Sequence, residues 1–367
     1  MKESVKNILT TVLFAAFIAV GALSALLLPD ADFSESERRK LEQFPEITWK
    51  SVLDTSAMSK FETYTLDQFP LRDGLRRIKS MAHYYLFAQR DNNDIYLADG
   101  SVSKLEYPMK EHIIAGAADK FDALYEKYFA DLGVNAYYSV IPDKNYFLAE
   151  ENGYPALDYD RLLAIMDENI NHLSYIDLFP YLDLEDYYRT DTHWKQECIG
   201  DAADALLSGM GLTPSEQQYT QHTHTPFFGV YYGQAALPMA PDTLTWLEND
   251  MLSGCTVYDY ETGKTGGIYD LTELESPDPY ETFLYGAAAL LTIENPAAQT
   301  DRELVIFRDS FGSSISPLLV KEYAKITLVD IRYVTSDYLG QIIDFSGTDD
   351  VLFLYSTMVL NNATMLK

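Results

Sequence analysis

The first apolar run of the chain is the longest. "NILTTVLFAAFIAVGALSALLLP" carries no charge from Asn7 to Leu28 and stops at Pro29. At about 1.5 Å of rise per residue, a helix of that length crosses a hydrocarbon core of about 30 Å. A cleaved secretory leader has an apolar region of only about 7 to 15 residues. The pattern therefore predicts a retained signal anchor over residues 1–29, with cleavage at "ALS" (22–24) as the alternative. Lys2 and Lys6 precede the span and Arg38, Arg39 and Lys40 follow it, so the flanking charges give opposed signals of orientation. No second span follows, which leaves one large domain on one side of the membrane, here taken as the outside.

Residues 30–56 read as an acidic, polar connector. Beyond them, Leu75, Ile78, Ala82 and Tyr85 recur at helical spacing, and Pro70 breaks "MSKFETYTLDQFPLRDGLRRIKSMAHYYLFAQRD" into helix, turn and helix. "DIYLADGSVSKL" predicts a hairpin turning at Asp99-Gly100. The rhythm then changes to strand and helix in alternation. Strands are expected at 134–141, 174–179, 303–307, 326–330 and 351–355, and helices at 158–173 and over "WKQECIGDAADALLSGM", whose apolar face carries Ile199, Ala203, Leu206 and Leu207. Uninterrupted apolar runs suit parallel strands covered on both faces. The sum is a three-layer α/β domain with about five parallel strands over residues 57–367, of which 57–107 form a helical and hairpin N-terminal part.

Composition narrows the partners. The 367 residues are 47% hydrophobic, enough for a substantial core, and 56 Asp plus Glu against 27 Lys plus Arg give a net charge of −29. Such a surface repels phosphate backbones, so nucleic acid is not an expected partner. Cys198 and Cys255 cannot build a disulfide framework or a four-thiolate zinc site, and both read as buried thiols, one disulfide being the alternative. The "HTH" at 222–224 lacks a convincing set of carboxylate or thiolate partners, so neither metal nor cofactor is expected.

Open parallel sheets bind ligands beyond the carboxyl ends of their strands. Past "VIF" comes "RDSFGSSISP", where Ser310 stands at a strand-to-loop corner. Ser316-Pro317 reads as an N-cap followed by proline at the first helical position, which starts the next helix at "PLLVKEY". A nucleophilic serine needs a base and a carboxylate to orient it. "TDTHW" offers both, with Asp191 two residues before His193 and Trp194 just after. Each motif also has a plain reading: His193 as a packed side chain, Asp191 as a helix cap, and "DSF" as ordinary loop residues. Asp309 is the alternative orienting carboxylate. Lys144 and Arg332, each just past a strand, are candidates to bring positive charge to the site or are ordinary surface cations.

The order of "SESERRKLEQFPEIT", "DQFPLRD", "SVIPDKNYF", "TDTHW", "FFGVYYGQAAL", "FRDSFGSSISPLLVKEY" and "LVDIRYV" resembles the DHHW family of bacterial extracytoplasmic proteins. That family is itself similar to the alginate O-acetylation proteins with SGNH-hydrolase-like domains. The resemblance covers most of the chain after the anchor. It implies an SGNH-hydrolase-like fold with Ser310 as nucleophile, His193 as base and Asp191 as the residue orienting His193. Thr192 stands where the family name has its first histidine, Arg308 replaces the small residue of the "GDS" block, and no Asn of a G-x-N-D block is apparent.

The expectation that follows is a membrane-anchored, extracytoplasmic serine acyltransferase that O-acetylates a glycan of the cell envelope through an acyl-Ser310 intermediate. A membrane-embedded protein would supply the acyl group. Two alternatives share the fold: a glycan acetyl esterase with the same three residues, and a catalytically silent glycan-binding or assembly protein. The 28 tyrosines are compatible with sugar stacking, or with packing in an aromatic-rich core.

Overall fold

The structure, a computed structural model, describes residues 3–34 and 36–367. Met1, Lys2 and Glu35 lie outside the described residues, and with them the flanking charge of Lys2. The chain forms two compact units, one of residues 1–93 with 232–239 and the other of 94–231 with 240–367.

The first unit begins with the apolar helix Glu3–Leu27, long and apolar enough to cross a membrane, with a mean hydropathy of 2.3 and no residue buried. The segment expected as a polar connector has structure of its own: Phe33–Ser34 pairs antiparallel with Arg39–Lys40, and Trp49–Leu53 is helical, capped by Thr48. Helices Ser56–Asp67 and Arg72–Met81 follow on either side of Pro70, and the second continues as a π-helical turn, Ala82–Leu86. A charge cluster joins these pieces. Glu37 meets Arg39, Arg72 and Arg76 at 2.6–3.2 Å. Asp67 accepts from Arg39 and from the amide of Glu42, and the Arg39 guanidinium beside it holds its carboxyl down at about 2.

The second unit is built on an eight-stranded sheet. Its strands are β1 (Asn135–Ile141), β2 (Ser174–Tyr175), β3 (Thr256–Asp259), β4 (Lys264–Gly266), β5 (Leu290–Glu294), β6 (Glu303–Arg308), β7 (Lys325–Val329) and β8 (Asp350–Ser356). They lie in the order β4-β3-β5-β7-β6-β8-β1-β2. The five strands from β7 to β2 are mutually parallel, as expected. Strands β3, β4 and β5 add an antiparallel edge that the sequence reading missed.

Alternation along each strand feeds two separate cores, which makes the three layers. Leu304 and Ile306 of β6 and Leu352 and Leu354 of β8 face helix α3 (Gly200–Gly209) and helix α4 (Gly312–Leu319). Val305 and Phe307, with Val351, Phe353 and Tyr355, face helix α1 (Glu111–Tyr128) and helix α2 (Tyr159–Asn169) on the other side. A parallel strand buried on both faces needs apolar side chains at every position, so it reads as a continuous run. The hairpin Ile95–Ala98/Ser101–Lys104 turns at Asp99-Gly100, both with positive φ, as expected.

Three local expectations change. Helix α4 begins at Gly312, so Ser316 and Pro317 lie inside it instead of capping it. The helix expected from Trp194 opens as a 3₁₀ turn, Gln196–Cys198, and becomes regular only at Gly200. Both cysteines are free, and Cys198 is exposed where a buried thiol was expected.

Because Glu3–Leu27 buries none of its residues, deletion of residues 1–29 should leave the thermal midpoint of the sheet unit unchanged. Calorimetry on full-length protein in detergent and on the truncated chain in the same detergent checks this, and a lowered midpoint would make the helix part of the fold.

Candidate active site

The carboxyl ends of β1, β6, β7 and β8 carry the site's framework, where an open parallel sheet presents its loops. Asp143 and Lys144 follow β1, Asp309 and Ser310 follow β6, Asp330 follows β7, and Thr357 follows β8. Ser310 occupies the corner between β6 and α4. Neighbouring backbone fixes that corner. The Asp309 carboxylate accepts from the amides of Phe311 at 3.0 Å and Ser356 at 2.8 Å, which ties the end of β6 to the end of β8. Asp309 is thus an anchor of the Ser310 loop, and its oxygens are taken by backbone.

The segment bearing Asp191 and His193 is a tight loop. A bridge between Tyr187 and Trp194 closes it, with the Tyr188 amide donating to the His193 carbonyl. Within the loop, Asp191 Oδ1 accepts from the His193 backbone N–H at 3.0 Å, an Asx-type turn, and lies 2.6 Å from His193 Nδ1. His193 Nε2 lies 2.8 Å from Ser310 Oγ. A carboxylate only accepts, so the tautomer that satisfies both partners has the proton on Nδ1 and leaves Nε2 to accept from the serine. Ser310 lies 117 positions beyond His193 in the chain, and the fold brings the three residues into one continuous hydrogen-bonded line.

Each member is held from outside the line. Asp191 is 1% exposed, and its second oxygen accepts from the Val230 amide at 2.7 Å. The His193 ring stacks on Tyr280, with centroids 3.9 Å apart and planes 8° from parallel. Trp194, fully buried, donates Nε1–H to Ser314 Oγ at 2.8 Å, and Tyr280 shares that hydroxyl at 2.8 Å. Trp194 therefore fixes the histidine loop against α4. Thr192 accepts from the Tyr231 hydroxyl at 3.2 Å and takes no part in the line.

Lys144 and Arg332 are not free surface cations. Lys144 is 2% exposed and its ammonium donates to four backbone carbonyls, those of Val102, Tyr188, Arg189 and Asp191, at 2.5–3.2 Å. Burial pushes it down to about 7, and the charges of Asp191 and Asp242 pull the other way. The ammonium thus works from beneath the Asp191 loop, on its backbone. Arg332 forms a two-pronged pair with Asp330 through Nε and Nη2 at 2.6–3.2 Å.

Gly229, Val230 and Tyr280 belong to this site but were not singled out in the sequence. The "FFGVYY" block passes against the Asp191 loop so closely that a Cβ at Gly229 would lie 2.3 Å from Asp191 Cβ and 2.4 Å from its Cα. Its amide donates to Thr190 Oγ1, and Thr190 and Arg189 in turn hang on the Asp242 carboxylate. A glycine in an apolar block was the available signal. Tyr280 had none, since "PDPYETF" has no periodicity.

Comparison with known proteins bears out the resemblance drawn from the motifs. The family model described as DHHW protein matches residues 161–329. A DHHW family protein from Eubacterium siraeum has a similar solved structure, with 23% identity, a TM-score of 0.62, and coverage of 75% of this chain and 95% of that one. Bacillus cereus PatB1, solved with a sulfonyl adduct, is similar at 18% identity and a TM-score of 0.58, over 74% of this chain and 97% of that one. At these identities the likeness is one of fold. No curated protein matches.

Two substitutions test the scaffold. Gly229→Ala should destabilise the sheet unit by about 1–3 kcal/mol, because the added methyl meets backbone that cannot step aside. Lys144→Met should lower stability by about 2–3 kcal/mol, since buried carbonyls lose their donor. Chemical denaturation measures both, and wild-type midpoints would remove these residues from the loop's support.

Proposed function

We propose that this protein is a membrane-anchored, extracytoplasmic serine O-acyltransferase that passes an acetyl group to a hydroxyl of a cell-envelope polysaccharide. The observation that carries the reading is the unbroken line from Asp191 through His193 to Ser310. The resemblance to the DHHW proteins, themselves similar to alginate O-acetylation proteins, supports the acetyl group and the polysaccharide. The apolar helix Glu3–Leu27 supports the anchor.

In the first half-reaction Ser310 Oγ attacks the carbonyl carbon of the acyl donor while His193 Nε2 takes the hydroxyl proton. Asp191 holds the imidazole in its tautomer and stabilises the imidazolium that forms. The tetrahedral intermediate needs a hydrogen-bond donor for its oxyanion. We assign the Ser310 amide, which meets no protein acceptor among the described residues and lies at the positive end of α4. The intermediate collapses as the donor's leaving group departs with the proton from His193, and Ser310 is left acylated. In the second half-reaction a sugar hydroxyl attacks the acyl carbon and gives its proton to His193. The ester bond to Ser310 breaks, and the serine recovers its proton from His193. Water in place of the sugar would complete an esterase cycle, so product analysis separates the two.

Bacillus cereus PatB1 carries a sulfonyl adduct, and the same reactivity is the direct test here. A sulfonyl fluoride should label Ser310, as read by peptide mass spectrometry, and Ser310→Ala should abolish the labelling. Asp191→Asn keeps the shape of the site but withdraws the charge that favours the imidazolium. It should lower turnover of an acetyl ester by at least roughly 10²-fold. A well-folded protein whose Ser310 stays unlabelled would instead be a silent glycan-binding relative. Free acetate without acetylated sugar would make the enzyme an esterase.

A further inference from the structure

Helix Arg72–Met81 and its π-helical extension Ala82–Leu86 are amphipathic, but the faces are reversed from those of a helix on a globular core. The side that packs inward is polar. Arg72 and Arg76 bind Glu37, Arg76 also donates to the Gly233 carbonyl, and Ser80, 1% exposed, accepts from Asn92. The side that faces outward is apolar: Leu75 and Ile78 of the helix, Leu71 at its N-cap, and Tyr85 and Leu86 in the π-helical turn, with Leu71, Ile78, Tyr85 and Leu86 65–85% exposed. A stripe of large exposed apolar side chains marks a surface that another phase or partner covers.

Two further observations point to what covers it. The stripe belongs to the same compact unit as the apolar helix Glu3–Leu27, which would place a bilayer within reach of this unit. The charge is also divided. Residues 1–93 with 232–239 hold 12 Lys or Arg and 12 Asp or Glu, so the whole net charge of −29 falls on the other unit. An anionic lipid surface repels the sheet unit and tolerates the neutral one. On the stripe's flanks, Arg77 and Lys79 are exposed, where basic side chains reach lipid headgroups.

We infer that the segment Leu71–Leu86 lies on the lipid bilayer through its apolar stripe, as an interfacial helix that sets the orientation of the N-terminal unit at the membrane surface. This rests on the anchored reading of Glu3–Leu27.

The test uses the full chain in vesicles of phosphatidylcholine and phosphatidylglycerol, with Ile78→Trp as a reporter in a Trp49→Phe background. Trp194 and Trp246 are 0% and 8% exposed and give a constant background. The expected result is flotation with the vesicles, blue-shifted reporter emission, quenching by lipids brominated near the headgroup, and protection from aqueous iodide. Adding Leu71→Glu and Leu86→Glu should abolish the lipid quenching while flotation persists. A reporter open to iodide in floating vesicles would overturn the inference. Protection from iodide without lipid quenching would overturn it in favour of a protein cover such as a second copy. Lipid quenching that survives the two glutamates would show that the stripe is not the contact. Failure of the chain to float would sink this inference and the anchor together.

Discussion

The site depends on one buried carboxylate having every partner it needs. Asp191 is almost wholly withdrawn from water, and an ionised carboxylate there is tolerable only if its oxygens are matched by donors. The His193 amide, the His193 ring and the Val230 amide supply them. The peptide carbonyl of the same residue is held by Lys144. This requirement reaches outward through the sequence. It needs a glycine at 229 so that the Val230 amide can come close, a lysine after β1 to gather four carbonyls, and Asp242 to hold Thr190 and Arg189. Residues far apart in the chain are thus bound to one another by the need to stabilise one negative charge.

The sheet supplies the complementary half of the arrangement. Strands β6 and β8 are buried on both faces, so their ends cannot drift, and Asp309 ties the two ends together just before the serine. Ser310 is held by the sheet and His193 by a closed loop. Trp194, Tyr280 and Ser314 join those two supports through one shared hydroxyl. That junction explains why the tryptophan after His193 is as much part of the site as the histidine itself. It buries the largest side chain of the loop against the helix that follows Ser310.

The parallel strands were legible because two-sided burial writes itself as an unbroken apolar run. The line from Asp191 through His193 to Ser310 was legible because an aspartate two residues before a histidine, and a serine past a strand end, are the residue types that a serine nucleophile, its base and its orienting carboxylate need. What stayed hidden depends on distant partners. Helix α4 contains Gly312, three serines and Pro317, a poor helix former by local propensity, so its start was misplaced. Tertiary bonds support it instead: Ser313 accepts from Arg308, Ser314 from Trp194, and Ser316 donates to the Gly312 carbonyl. In the antiparallel edge, β3 and β4 were missed because "TVYD" and "KTG" are short and half polar. Lys144 was legible as a residue past a strand but not as a donor to carbonyls, since its acceptors come from two other segments.

The departure at Arg308 can be understood in the same terms. Where the motif resemblance sets the small residue of a "GDS" block, this chain buries a whole arginine, and burial pushes that guanidinium below its usual range while Asp330 pulls it back. The bulk is accommodated four residues on. A Cβ at Gly312 would lie 2.7 Å from Arg308 Cβ, so the glycine of "RDSFG" leaves the room that the arginine takes. The charge is answered as well: Arg308 and Arg332 face Asp309 and Asp330, two cations against two anions at the strand ends beside Ser310. In a unit that carries all of the chain's net negative charge, these four groups beside Ser310 balance one another. In the acyl transfer proposed above, the charge that develops on the oxyanion beside Ser310 therefore does not meet an uncompensated Asp309 or Asp330.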